Sequence, residues 1–104
     1  MKLNRDAFKK ACVTGWLSKI PSETDLAEWG ATFDMFGYLV ERYLDETRDA
    51  CAVEVAAVVN ASFEETFAVL DPWLRPRLRN AQAAALSYIL GAPVSVQTGG
   101  QAVD

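Results

Sequence analysis

The sequence predicts an all-α protein, an irregular bundle of four or five helices in one domain (residues 1–91) followed by a flexible C-terminal tail (residues 92–104). Three observations carry that expectation. Apolar residues recur at three- and four-residue intervals over most of the chain, helix-start signals precede the periodic runs, and no run shows the two-residue alternation of a half-buried strand. A length of 104 residues supplies one core and not two. With 51% hydrophobic and 23% charged residues, the composition is that of an ordinary globular domain rather than a disordered or fibrous chain.

The first helix is predicted to start after Asn4, whose side chain can accept an unpaired backbone amide. Its stripe is Phe8, Cys12, Trp16 and Ile20, widened by Val13 and Leu17, and Pro21 stops it. Ser22 to Asp25 then resembles a capping box that opens a second helix. There Leu26, Trp29, Phe33, Phe36, Val40 and Tyr43 form an a/d seam, with Gly30 and Gly37 beside it to admit another backbone. This helix is expected at the centre of the core. Met35, Tyr38 and Leu39 fall off the seam, so a second side needs a cover, and a homodimer is expected to provide it.

The charged run DETRD (residues 45–49) fits either a turn or the wet face of a continuing helix. Residues 50–61 hold four valines, but their alanines and lack of alternation favour helix over strand. Ser62 to Glu65 reads as a capping box for a short further helix through Phe67, Val69 and Leu70, ended by Pro72. DPWLRP (residues 71–76) is predicted to be a turn or kink, because Pro76 inside a helix would lack a needed amide. The last helix is expected to begin at Pro76 and to bury Leu78, Ala81, Ala85, Leu86 and Ile89. Gly91 would be its left-handed C-terminal glycine, with Pro93 just beyond.

Several chemistries are disfavoured at once. There is no histidine, which removes the commonest general base and the commonest transition-metal ligand. No glycine-rich phosphate loop and no nucleophile elbow is present. Cys12 and Cys51 have no metal-ligand spacing and read as small hydrophobes. Carboxylates are the one remaining route to an enzyme, a Mg²⁺-dependent nucleotide hydrolase built on an all-α bundle, using Glu41, Asp45, Glu46, Asp49 and the Glu64-Glu65 pair. Acidic residues on amphipathic helices are more often a solvated face, so no catalytic residue, metal ligand or cofactor is assigned.

The most unusual stretch is WLRPRLR (residues 73–79), where a chain of net charge −4 places three of its six arginines within five residues. They stand where a helix begins, the end at which the macrodipole disfavours positive charge. Either Arg75 and Arg79 are pinned by acidic residues of DETRD or FEE as an internal clamp, or Trp73, Arg75, Arg77 and Arg79 form an exposed patch rich in interface residue types. The expected function is a small non-enzymatic regulator or inhibitor, of phage or bacterial kind, that occupies a surface of a partner protein. The candidate partner-binding residues are Trp73, Arg75, Arg77 and Arg79, together with Glu41, Asp45, Glu46 and Asp49. The carboxylates suit a basic surface such as that of a nucleic-acid-binding effector. The pI near 4.7 argues against direct nucleic-acid or membrane contact. The absence of an apolar leader or spanning segment suggests a cytoplasmic location.

Overall fold

Four α-helices and one 3₁₀ turn make up a computed structural model that describes residues 2–94: α1 (Arg5–Leu17), α2 (Glu23–Glu46), α3 (Ala52–Phe67), the turn Pro72–Leu74, and α4 (Arg75–Leu90). Among the described residues there is no strand, and no helix is long and apolar enough to cross a membrane. The fold is the all-α bundle that the periodicity predicts. Residues 95–104, most of the predicted tail, lie outside the described residues; just before them Val94 donates its amide to Ser87 Oγ at 3.0 Å and packs against the core.

Contacts fix the helix directions. Phe8 meets Tyr88 and Gly15 meets Asn80, so α1 and α4 run antiparallel. Arg5 reaches Glu41 while Trp16 packs on Trp29, which sets α2 antiparallel to α1. Phe36 stacks on Phe63 and Tyr43 bonds Glu54, and Asn60 bonds Gln82 while Phe67 meets Arg79. The result is an up-down-up-down square in which α1 packs on α2 and α4, α3 packs on the same two, and the diagonal pairs have no close backbone approach.

Local chemistry explains the elements. Asn4 Oδ1 accepts the Ala7 amide at 3.0 Å, and Ser22 and Asp25 form the reciprocal capping box, with Asp25 receiving the Ser22 amide and Ser22 Oγ the Asp25 amide. The Ser22 amide holds the Asp25 carboxyl below the usual carboxylate range. Gly91 closes α4 in the left-handed region at φ 71°, as its position predicts. The core is Phe8, Phe33 and Phe63 with Val13, Val40, Val55 and Val59, and all five predicted apolar residues of α4 are buried in it.

Several expectations are corrected. Left-handed Ser18 (φ 57°) ends α1 at Leu17, so Ile20 lies outside the helix and is 83% exposed rather than part of its stripe. The DETRD run is both helix and turn, since α2 continues through Glu46 before Asp49 turns with φ 64°. Ser62 does not start a helix: it sits within α3, its hydroxyl donating to the Val58 carbonyl one turn back, a local bond that serines make inside helices as well as at caps. The start lies at Cys51, whose amide donates to Glu54 at 3.2 Å. Cys51 is therefore an exposed cap residue, whereas Cys12 is buried as expected, and burial pushes its thiol up to about 12. Val69 lies beyond the end of α3 and is exposed.

Nor is α2 the hub. Phe33, Phe36 and Val40 of its seam are buried and Leu26, Trp29 and Tyr43 are partly so, but Gly30 and Gly37 admit the side chains of Lys9 and Arg5 from α1 rather than a backbone. A backbone approach at a glycine is found elsewhere, where Gly15 of α1 lies against Asn80 and Ala81 of α4. The face of α2 opposite the seam is left open, with Met35 66% and Tyr38 54% exposed.

Candidate functional site

The three clustered arginines have three different environments, and the antiparallel packing explains them. Arg77 lies at the start of α4 and beside the end of α1. Its Nε donates to the Trp16 carbonyl at 3.2 Å, one of the four carbonyls that α1 leaves without an intrahelical donor. Its guanidinium lies 4.7 Å from the Trp16 ring centroid and 5.9 Å from that of Trp29. The Trp16 indole N–H is itself buried without an acceptor, so the ring is held by packing and by this cation.

Arg79 turns toward α3. It forms an ion pair with Glu64, donates to Gln82 Oε1 at 2.9 Å and places its guanidinium 3.8 Å from the centre of the Phe67 ring. Gln82 is 0% exposed, and its amide nitrogen donates to Asn60 Oδ1 at 2.5 Å and to Glu64 at 3.0 Å. The buried amide is thus fully bonded, which avoids the roughly 1–3 kcal/mol that an unsatisfied group costs. Arg79, with help from Gln82, holds the Glu64 carboxyl below the usual carboxylate range. This is the internal clamp expected from FEE, but for Arg79 alone.

Neither α1 nor α3 carries a basic residue in its last turn, and α4 has no acidic residue in its first. Arg77 and Arg79 supply from across the bundle the positive charge that the carbonyl ends of α1 and α3 favour. Charge that is unfavourable for α4 by itself is favourable for its two antiparallel neighbours.

Arg75 and Trp73 are different. Arg75 is exposed, and among the described residues no ion pair or side-chain hydrogen bond holds it. Trp73 is 73% exposed on the 3₁₀ turn, which the Leu74 amide closes on the Asp71 carbonyl at 2.9 Å. Leu70 and Leu74 on either side of it pack against the core, so the turn is anchored while the indole faces solvent. Exposed Val69 adjoins it in sequence.

The acidic candidates lie at the other end of the bundle. Glu41 is engaged by Arg5 at 2.7 Å, and the same guanidinium bonds Asp34 at 2.6 Å, holding the Asp34 carboxyl below its ordinary range. Glu46 pairs with Arg42 one turn earlier, while Asp45 and Asp49 are exposed. Lys2, Leu3, Glu41, Leu44 and Asp45 line an open cleft of about 400 Å³. Among the described residues, no three His, Cys, Asp or Glu side chains stand close enough to hold a metal ion. The acidic end and the Trp73 corner are separated by the length of α3, about 24 Å for its 16 residues, so the structure does not bring the two candidate groups together.

Gln82 and Asn60 were not singled out in the sequence. The available signal was positional: Gln82 lies one turn after Leu78 within the apolar stripe of α4, and a polar residue there requires partners. No protein-family model, curated protein or solved structure matches the chain.

Proposed function

We propose that this protein is a non-catalytic binding protein that regulates or inhibits a partner by occupying its surface, with Trp73 and Arg75 as the contact residues. The observation that supports the reading is the exposed Trp73 on an anchored turn. An indole on an anchored turn has only two side-chain torsions to lose on docking and a large apolar area to desolvate, which suits Trp to interface hot spots. Arg75, without a partner of its own, can engage a carboxylate at the rim of the same contact. The complementary surface is therefore an apolar pocket with acidic residues beside it. Asp45 and Asp49 at the opposite end suit a basic surface such as that of a nucleic-acid-binding effector, and the same experiment discriminates between the two.

Affinity capture from extracts of the source cells, with the parent chain, Trp73→Ala and Arg75→Glu, is the test. Trp73→Ala is expected to reduce recovery of the same partner by at least roughly tenfold, since a desolvated Trp contributes about 2 kcal/mol or more, and Arg75→Glu by a smaller factor, as a charge at the rim does, with helicity unchanged in both. Undiminished recovery with both variants overturns the reading. A loss confined to Asp45→Lys with Asp49→Lys would move the contact to the acidic end. A melting temperature that rises with Mg²⁺ would favour the hydrolase instead.

A further inference from the structure

We infer that the open face of α2 is a self-association surface, on which a second copy of this chain packs antiparallel about a two-fold axis through Met35. The inference is independent of the Trp73 corner and rests on the pattern of α2 itself. Opposite its buried seam, α2 carries a continuous strip formed by Glu28, Ala31, Met35, Tyr38, Leu39 and Arg42 at helical spacing. Among the described residues nothing covers it, because the neighbours of α2, helices α1 and α3, pack on its other side and Arg77 of α4 reaches α2 only at Trp29 of the seam. Met35 and Tyr38 are exposed large apolar residues, and they sit at the middle of a helix of 24 residues, about 36 Å long.

The charges specify the occupant and the direction. Glu28 lies one heptad before Met35, and Arg42 lies one heptad after it. An antiparallel copy centred on Met35 therefore places each Glu28 against the partner's Arg42, twice per dimer. The same register sets Ala31 against Leu39 on each side of the axis, small against large, so that the apolar middle can interdigitate. A parallel copy would oppose Glu28 to Glu28 and Arg42 to Arg42, which is repulsive. Arg42 is free to change partners, because its present bond to Glu46 is a within-helix pair with both side chains more than 60% exposed. An isologous contact needs this kind of self-complementary strip. A single helix face is small for an interface, so the dimer belongs to the weak class.

The test is sedimentation velocity of the full chain from roughly 1 to 500 µM, a range suited to a small interface. The mass is expected to rise from monomer to dimer across it. Met35→Lys, which places two cations on the axis, should leave a monomer throughout, with circular dichroism and melting of the monomer unchanged because Met35 is solvent-facing. Glu28→Arg and Arg42→Glu should each raise the dissociation constant by about tenfold, as expected for like charges placed opposite each other. The double exchange, Glu28→Arg with Arg42→Glu, should restore the parent value. A parent chain that remains monomeric at every concentration overturns the inference. So does a dimer insensitive to Met35→Lys, or one that the double exchange fails to rescue.

Discussion

Replacing Phe63 by alanine is expected to remove about 3–5 kcal/mol of stability, a large part of the roughly 5–15 kcal/mol that a domain ordinarily has. Phe63 is fully buried in the C-terminal half of α3 and stacks on Phe36 of α2 with ring centroids 4.3 Å apart and planes 3° from parallel. Truncation forfeits the transfer energy of the ring, leaves a void that helices on either side cannot easily close, and removes the aromatic contact as well. Urea unfolding monitored by circular dichroism measures it, with a lower midpoint and an unchanged slope. A loss under about 1 kcal/mol would mean that the ring does not occupy the shared core.

Gly15→Ala tests the close approach of α1 to α4, and two opposing effects decide its sign. In an exposed helix interior the change would stabilise by about 1 kcal/mol. Here the new Cβ would stand 2.3 Å from the Asn80 carbonyl oxygen and 2.8 Å from Ala81 Cα, both backbone atoms that cannot rotate away. Parting α1 from α4 costs on the order of 3 kcal/mol, so the net result is a destabilisation of about 2 kcal/mol or more. Gly30→Ala is the internal control, because there the Cβ meets the flexible Lys9 stem at 3.0 Å, and helix propensity should offset or exceed the cost. Thermal melting separates the two, and a Gly15→Ala protein as stable as its parent would contradict the α1–α4 packing.

Much of the fold was legible because the responsible signals are local. The seam from Leu26 to Tyr43, the Ser22 box, the buried positions of α4 and the Gly91 terminus each depend on residues within one or two turns of one another. The failures share a cause. Ser62 with Glu65 satisfies the capping pattern, but the preceding apolar run already commits the backbone to helix, and the hydroxyl then bonds Val58. Gly30 and Gly37 look like a packing groove, yet only the tertiary arrangement decides that Gly15 is where backbones meet.

The candidate site was less legible for the same reason. That Arg79 has an internal partner was foreseeable from FEE, and Glu64 lies 15 residues away in sequence. That Arg77 reaches the Trp16 carbonyl, 61 residues away, depends on α1 and α4 being antiparallel neighbours, which no spacing in the sequence reveals. Trp73 was identified from its place between two prolines, outside any regular period, and it is exposed for that reason.

The division of WLRPRLR into residues that hold the fold and residues left for a partner is tested most directly by melting three charge reversals side by side. Arg79→Glu is expected to be the least stable, because it loses the pairing with Glu64 and Gln82 and sets two carboxylates against each other. Arg77→Glu should fall between it and the parent, losing the Trp16 bond and placing a negative charge at the carbonyl end of α1. Arg75→Glu should melt at the parent temperature or slightly above it, since the residue has no internal partner and a carboxylate suits the first turn of α4. Three equal decreases, or a decrease largest for Arg75→Glu, would contradict the division.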